Sequence, residues 1–322
     1  MAVFATQIAL VIPRIVIPDD EPSVMLPSIA YEKLTPYDVR IYSDRPSGPD
    51  DLVDRIADAE IVINIRSTSR FTAEVLEKCP KLRLISIWGT GIDNVDLAAA
   101  KIRGIRVTNT PGVSAIAVAE HTLALIMAVA KQIVQVDQQV RQGKWPRAMV
   151  TQLRGKTLGL IGTGAIGREV AKLGKGIGMR VLAWTFHPQG DAAEWVGFDD
   201  VFRQSDVLSV HVRQSSDTVG LIRREHFELM KRRAIFINTA RGGIVKEADL
   251  IEALATNRIA GAGLDVFANE PLRPGSPFYS LSNVVLTPHS AGITSETTEA
   301  GLALAIENVI SFLAGQPMNV VV

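Results

Sequence analysis

Cysteine is nearly absent from this chain. Cys79 stands alone among 322 residues, which excludes an intramolecular disulfide and any multi-cysteine metal or cluster site; no metal site is expected. Excess charge is missing too. Thirty-four basic residues balance 34 acidic ones, so the chain lacks the basic surplus of domains that bind nucleic-acid backbones and the long-range field that steers a charged macromolecule. Aromatic residues are few at 6%, yet 47% hydrophobic and 21% charged residues are ordinary for a soluble globular protein. No long apolar run survives either. The apolar start from Met1 has no basic flank, and Pro13, Arg14 and Pro18 interrupt it well short of the roughly 20 residues of a membrane span. It reads as a buried first strand, and the expected location is cytoplasmic. There is no repeat of 20 to 50 residues and no low-complexity tract, which removes solenoids and disordered linkers.

What is present is length for two domains and a βαβ rhythm. Strands are predicted at Ile8 to Ile12, Val39 to Tyr42, Ile61 to Ile65, Leu82 to Ile87 and Ile105 to Thr108, with helices at Asp50 to Ala57 and Thr72 to Glu77. One long helix follows, Val113 to Gln142, stopped by Gly143-Lys144-Trp145-Pro146. The alternation then restarts with strands at Thr157 to Ile161, Arg180 to Trp184, Val207 to Val212, Ala234 to Asn238, Gly261 to Asp265 and Val284 to Thr287. A last amphipathic helix, Ser295 to Ala314, is expected to return to the first domain. The fold class is therefore α/β, with two Rossmann-like or flavodoxin-like domains built on parallel sheets. The expected division is 1–108 plus 292–322 as a discontinuous substrate (catalytic) domain, and 109–291 as a dinucleotide-binding domain.

The clearest motif is Gly162-Thr163-Gly164-Ala165-Ile166-Gly167, which follows a strand and opens a helix. The first glycine permits a tight turn, the second lets a pyrophosphate approach, and the third allows close helix–sheet packing. Free N–H groups at the helix start would hold the phosphates. The carboxylate that commonly meets the adenosine ribose about 20 residues on is missing; Thr185 stands there instead. Thr185 can bond a hydroxyl but would not repel a 2′-phosphate, and Arg213 is the nearest cation able to help. The cofactor is expected to be NAD or NADP, with NAD favoured.

Three later segments each put a reactive side chain just past a predicted strand, at the edge where open α/β sheets bind ligands. Arg241, after Asn238-Thr239-Ala240, offers a planar fork suited to a carboxylate. His289, after Thr287-Pro288, is a proton donor for neutral pH, and Glu270 is a carboxylate able to keep it charged. His187 reads as a loop residue, His211 as a core or cofactor-side imidazole, and His121 as structural.

The glycine motif, Asn238-Thr239-Ala240-Arg241-Gly242, Leu264-Asp265-Val266-Phe267 with Glu270-Pro271, and Thr287-Pro288-His289 together resemble the D-2-hydroxyacid dehydrogenase family. The likeness extends upstream through Gly89-Thr90-Gly91-Ile92-Asp93-Asn94 and Asn109-Thr110-Pro111-Gly112. It covers the chain from about Ile61 onward, while the first 60 residues match only in general pattern. The resemblance implies that Arg241 binds the substrate carboxylate and keto oxygen, and that His289 is the acid/base with Glu270 as its partner. It implies cofactor contacts from Gly162, Thr163, Gly164, Ala165, Ile166 and Gly167, and from Thr185, Val212, Thr239, Ala240, Asp265 and Gly292. Backbone N–H groups of Trp88, Gly89, Thr90 and Gly91, with Arg66, would hold the substrate carboxylate from the other domain. The implied activity is reversible reduction of a small 2-oxo acid to its D-2-hydroxy acid, in a homodimer.

Thr185 and Arg213, where the family often has an acid and a proline, depart from the pattern at the adenosine end and leave the chemistry untouched. Two other readings compete: a cofactor-sensing, corepressor-like protein without turnover, and a dehydrogenase of formate or phosphite. The complete set of Arg241, Glu270 and His289 favours the 2-oxo acid reductase.

Overall fold

Short apolar runs that alternate inward faces build the first of two sheets. In the computed structural model, which describes residues 12–66 and 68–322, β1 is Arg14–Ile17, β2 Asp38–Ile41, β3 Ile61–Asn64, β4 Leu84–Ile87 and β5 Arg106–Thr108. All pair in parallel in the order β2-β1-β3-β4-β5, which is the flavodoxin-like arrangement. The predicted strand Ile8 to Ile12 lies outside the described residues apart from Ile12, which is in no strand. The first described strand starts two residues later, where Arg14 Nε donates to Asp38 of β2 at 2.8 Å and Ile15 to Ile17 are buried.

Because side chains alternate along each strand, one sheet feeds two cores. Val16, Val62, Ile85 and Ile87 meet the helices α1 (Pro49–Ile56), α2 (Ala73–Glu77) and α3 (Leu97–Ile102). Thr72 and Asp96 cap the starts of α2 and α3. Ile15, Ile17, Ile61, Ile63 and Leu84 meet instead the last helix, Ser295–Leu313, through Leu302, Ala305, Ile306 and Val309. The chain divides into two units, Met1–Val113 with Thr294–Val322, and Ser114–Ile293.

The second unit begins with α4 (Ala115–Ala130) and α5 (Ile133–Arg141). A single helix from Val113 to Gln142 is what the sequence pattern predicts, and the structure corrects this. Gln132 sits at φ 53, in the left-handed region, and the two helices bend by 59°. The polarity of the second half explains the break: α4 buries eight residues, whereas α5 buries none. Lys131 Nζ turns away to the Thr151 carbonyl at 2.7 Å. Among the described residues no single helix is long and apolar enough to cross a membrane.

The remaining strands are β6 (Thr157–Ile161), β7 (Arg180–Trp184), β8 (Glu194–Trp195), β9 (Val207–Val210), β10 (Ile235–Asn238), β11 (Gly261–Leu264) and β12 (Val284–Leu286). They form a parallel sheet in the order β12-β11-β10-β9-β6-β7-β8, the doubly wound order with its switch point between β6 and β9. Its helices are α6 (Ala165–Gly176), α7 (Phe198–Gln204), α8 (Arg224–Leu229) and α9 (Glu247–Ala255); Ser295–Leu313 is α10. One face packs Leu158, Leu160, Ile235 and Ile237 on α4 and α6, and the other packs Leu208, Val210 and Phe236 on α7, α8 and α9. β8 has only two residues, too few to show any period in the sequence.

Candidate active site

The glycine loop lies at the switch point. Gly162 has φ 99, and a Cβ there would lie 2.7 Å from the His211 carbonyl. A Cβ on Gly167 would come 2.2 Å from the Gly162 oxygen. These two glycines let the β6–α6 turn close on itself and on the end of β9. Gly164 differs: a Cβ there meets nothing within 4 Å, so the backbone at the start of α6 faces open space. Ala165 is exposed, Ile166 half-buried and Thr163 buried, with its carbonyl bonded to Arg168 at 3.1 Å. Tight behind and open in front, the loop fits a dinucleotide pyrophosphate.

Around this edge the other expected cofactor residues fall on neighbouring strand ends. Thr185, directly after β7, is half-buried, and Phe186 and His187 beyond it are exposed. Val212, past β9, is buried. His211 bonds Ser209 at 2.8 Å, and burial pulls its imidazole down to about 3, so it is neutral at working pH. Thr239 is buried with its hydroxyl 2.9 Å from that of Thr122. Gly292 packs against Ser114 and Val118 of the same unit.

Arg241 is presented by a clamp at the end of β10. The Asn238 side chain accepts from the Ala240 N–H and donates to the Arg241 carbonyl, each at 3.0 Å, and Arg241 Nη1 donates to the Ala240 carbonyl at 2.8 Å. The next residue, Gly242, packs directly on the Phe267–Ala268 backbone, where a Cβ would lie 2.0 Å from the Phe267 carbonyl carbon. That packing ties the Arg241 turn to the loop that carries Glu270.

Glu270 and His289 meet: His289 Nδ1 lies 2.7 Å from Glu270 Oε2, with Glu270 Oε1 accepting from the Phe267 N–H at 2.9 Å. Each is about one-third exposed. Burial pushes the Glu270 carboxyl up, but the hydrogen bond and charge of His289, the Phe267 N–H and Arg241 together bring it below its ordinary value. The carboxylate is therefore the stable form beside the imidazole. Nδ1 is held by that bond, which leaves Nε2 as the nitrogen for proton transfer.

Asp265, 1% exposed, accepts from the Thr287 hydroxyl at 2.6 Å and from the Ser290 and Ala291 N–H groups at 2.9 Å each. Its carbonyl accepts from the His289 N–H at 2.8 Å. Thr287 entered the sequence reading only as part of a motif and His121 as structural; the structure joins both to this group, with His121 Nε2 3.0 Å from Thr287 Oγ1. The only signal for His121 was its place in the polar Glu120-His121-Thr122 run of a helix that is apolar elsewhere.

The first unit carries the remaining predicted residues, and there the structure corrects the reading. The Trp88 N–H donates to the Asn64 carbonyl at 2.9 Å, and the Gly89 N–H to Thr110 Oγ1 at 2.7 Å. Those two amides are engaged in holding the loop after β4. Of the four amides expected to hold an anion, those of Thr90 and Gly91 are the two without such a bond among the described residues. Gly89 has φ 123, which turns the loop, and the Trp88 indole rests on Gly301 of α10, where a Cβ would be 2.0 Å away. Arg66 donates to the Pro22 carbonyl, and burial lowers its guanidinium against the field of Asp19 and Asp20. Among the described residues no cluster of three or more metal-ligating side chains exists.

Comparison with known proteins bears directly on this geometry. Residues 123–291 match the family model described as D-isomer specific 2-hydroxyacid dehydrogenase, NAD binding domain. The glyoxylate reductase of Aeropyrum pernix is 39% identical over 301 residues, covering 88% of this chain and 90% of that one. The D-3-phosphoglycerate dehydrogenase of Archaeoglobus fulgidus is 41% identical over 278 residues, 84% of this chain, which spans about half (52%) of that longer protein. Among solved structures, an acyclic imino acid reductase in complex with NADPH and D-Arg superposes with a TM-score of 0.89 at 34% identity, over 96% of this chain and 100% of that one.

Proposed function

The chain belongs to the D-2-hydroxyacid dehydrogenase family, and from that premise we propose that it interconverts a small 2-oxo acid and its D-2-hydroxy acid, as a cytoplasmic homodimer. The observation that carries the reading is the 2.7 Å pair of His289 and Glu270, with Arg241 near enough to help keep Glu270 ionised. Glu270 holds Nδ1 and stabilises the imidazolium, and Nε2 gives its proton to the C2 oxygen as the carbonyl becomes an alkoxide. Arg241 binds the carboxylate and polarises the keto oxygen, so positioning and electrostatic stabilisation come from one side chain. Within the first unit, the N–H groups of Thr90 and Gly91 and the Arg66 guanidinium are the groups suited to an anion.

Bound nicotinamide supplies the hydride for C2. The Gly162–Gly167 loop would hold the pyrophosphate, Thr185 would meet the adenosine ribose, and Val212, Thr239, Ala240 and Gly292 would contact the rest. Asp265, expected there too, is instead buried with its carboxylate on Thr287, Ser290 and Ala291 and acts from behind the site. NAD is favoured because the matched family model is an NAD-binding one. NADP stays open to this site because no carboxylate stands at Thr185, and a relative of like fold binds NADPH.

The test gives glyoxylate, hydroxypyruvate, pyruvate, phenylpyruvate and phosphohydroxypyruvate to the protein, each with NADH or NADPH, and follows loss of the reduced nicotinamide. Turnover of at least one acid is expected, and His289→Ala should abolish it while cofactor binding persists. Undiminished turnover in that variant would remove His289 from its role. Cofactor binding without turnover of any acid would favour the sensor reading.

A further inference from the structure

A chain of hydrogen bonds runs from α4 to the loop that carries His289. His121 Nε2 is 3.0 Å from Thr287 Oγ1, which is 2.6 Å from Asp265 Oδ1, and His121 Nε2 lies 3.7 Å from that same oxygen. The Thr287 hydroxyl has one proton, and it is directed to Asp265. Toward His121 the oxygen can only accept, so the imidazole must carry a proton on Nε2. At the far end, Asp265 takes the amides of Ser290 and Ala291 on its carboxylate and that of His289 on its carbonyl. Three consecutive amides of the loop are thus held by one residue. His289 itself has φ 54, a conformation that a side-chain-bearing residue keeps only when its surroundings impose it.

We propose that His121 and Thr287 are positioning residues for the proton-transferring imidazole. The His121 Nε2–H orients the Thr287 hydroxyl, the hydroxyl fixes the Asp265 carboxylate, and the carboxylate holds the left-handed turn that presents His289 to Glu270. The kinetic consequence rests on the reductase reading; the orientation of the protons does not.

The experiment therefore has two arms. Long-range ¹H–¹⁵N spectra at neutral pH read the five histidines, with His121 identified by the signal lost in His121→Asn. A proton on His121 Nε2 is expected; a bare Nε2 overturns the proposal. The His289 ring signals should move in Thr287→Val and return in Thr287→Ser, and signals unmoved in Thr287→Val also overturn it. In the second arm, Thr287→Val and His121→Leu should lower kcat by about tenfold to a hundredfold. The KM for the cofactor should change less than about twofold, and Thr287→Ser should restore kcat. A kcat within about twofold of the parent in both variants refutes the positioning role. Should the parent protein reduce none of the acids, the reductase reading fails, and the spectra still decide the fate of the relay.

Discussion

Glu270 keeps its charge although burial opposes it, because His289, the Phe267 N–H and Arg241 outweigh the desolvation. The sign of the consequence follows. In the proposed mechanism reduction needs protonated His289, so activity should be present at low pH and lost as pH rises. Glu270→Gln removes the negative charge while keeping size and an acceptor, and His289 then releases its proton sooner. The alkaline limit of oxo-acid reduction should shift to lower pH by on the order of one unit, equivalent to about 1.4 kcal/mol, in a profile of kcat/KM against pH. An unchanged profile would show that the pair does not tune the acid. The placement of Arg241, Glu270 and His289 past strand ends was legible in sequence because each follows an apolar strand in a short motif. His121 was not, since its partner Thr287 is 166 residues away and no local spacing encodes that. The engaged amides of Trp88 and Gly89 were equally hidden, because their acceptors belong to the folded loop.

At the level of elements, the β6–α6 turn separates two uses of glycine. Gly167→Ala places a methyl 2.2 Å from the Gly162 oxygen, so the backbone must shift. We expect a loss of about 1–3 kcal/mol in stability together with weakened cofactor binding. Gly164→Ala meets open space, and its melting temperature should stay near that of the parent. Its cofactor affinity should nonetheless fall on the order of tenfold, about 1.4 kcal/mol, because the methyl occupies the approach to the backbone. Calorimetry and cofactor titration on both variants check the contrast; equal effects in the two would refute it. Sequence periodicity located the strands on either side of this turn to within a residue or two, since buried parallel strands read as apolar runs. It failed at α4 and α5, where apolar and polar halves each keep a helical pattern and only the φ of Gln132 breaks the axis.

On the scale of the molecule, α5 and the segment after it leave Ile133, Val140, Trp145 and Met149 exposed, Trp145 by 82% and Met149 by 95%. Exposed apolar surface of this kind is where association is expected, and it supports the proposed homodimer. Light scattering should give the dimer mass for the parent and a monomer-shifted mass for Trp145→Ser combined with Met149→Ser. A dimer unaffected by both changes would place the interface elsewhere. The boundaries drawn from motifs, after residues 108 and 291, differ from the divisions after Val113 and Ile293. The residues between Thr108 and Ala115 are in neither strand nor helix, so periodicity offers no marker there.

The return of α10 to the first sheet has a consequence in time. Leu302, Ile306 and Val309 are fully buried against β1, β3 and β4, each worth about 1.5–3 kcal/mol, and Val107 exchanges backbone hydrogen bonds with Val321 and Val322. During synthesis, Ser114–Ile293 is complete while one face of the earlier sheet still lacks its cover. The unit made first is thus the unit finished last. A chain cut after residue 293 would carry the complete strand set of the second unit attached to a first unit with one face of its sheet open to water, a natural client for a chaperone.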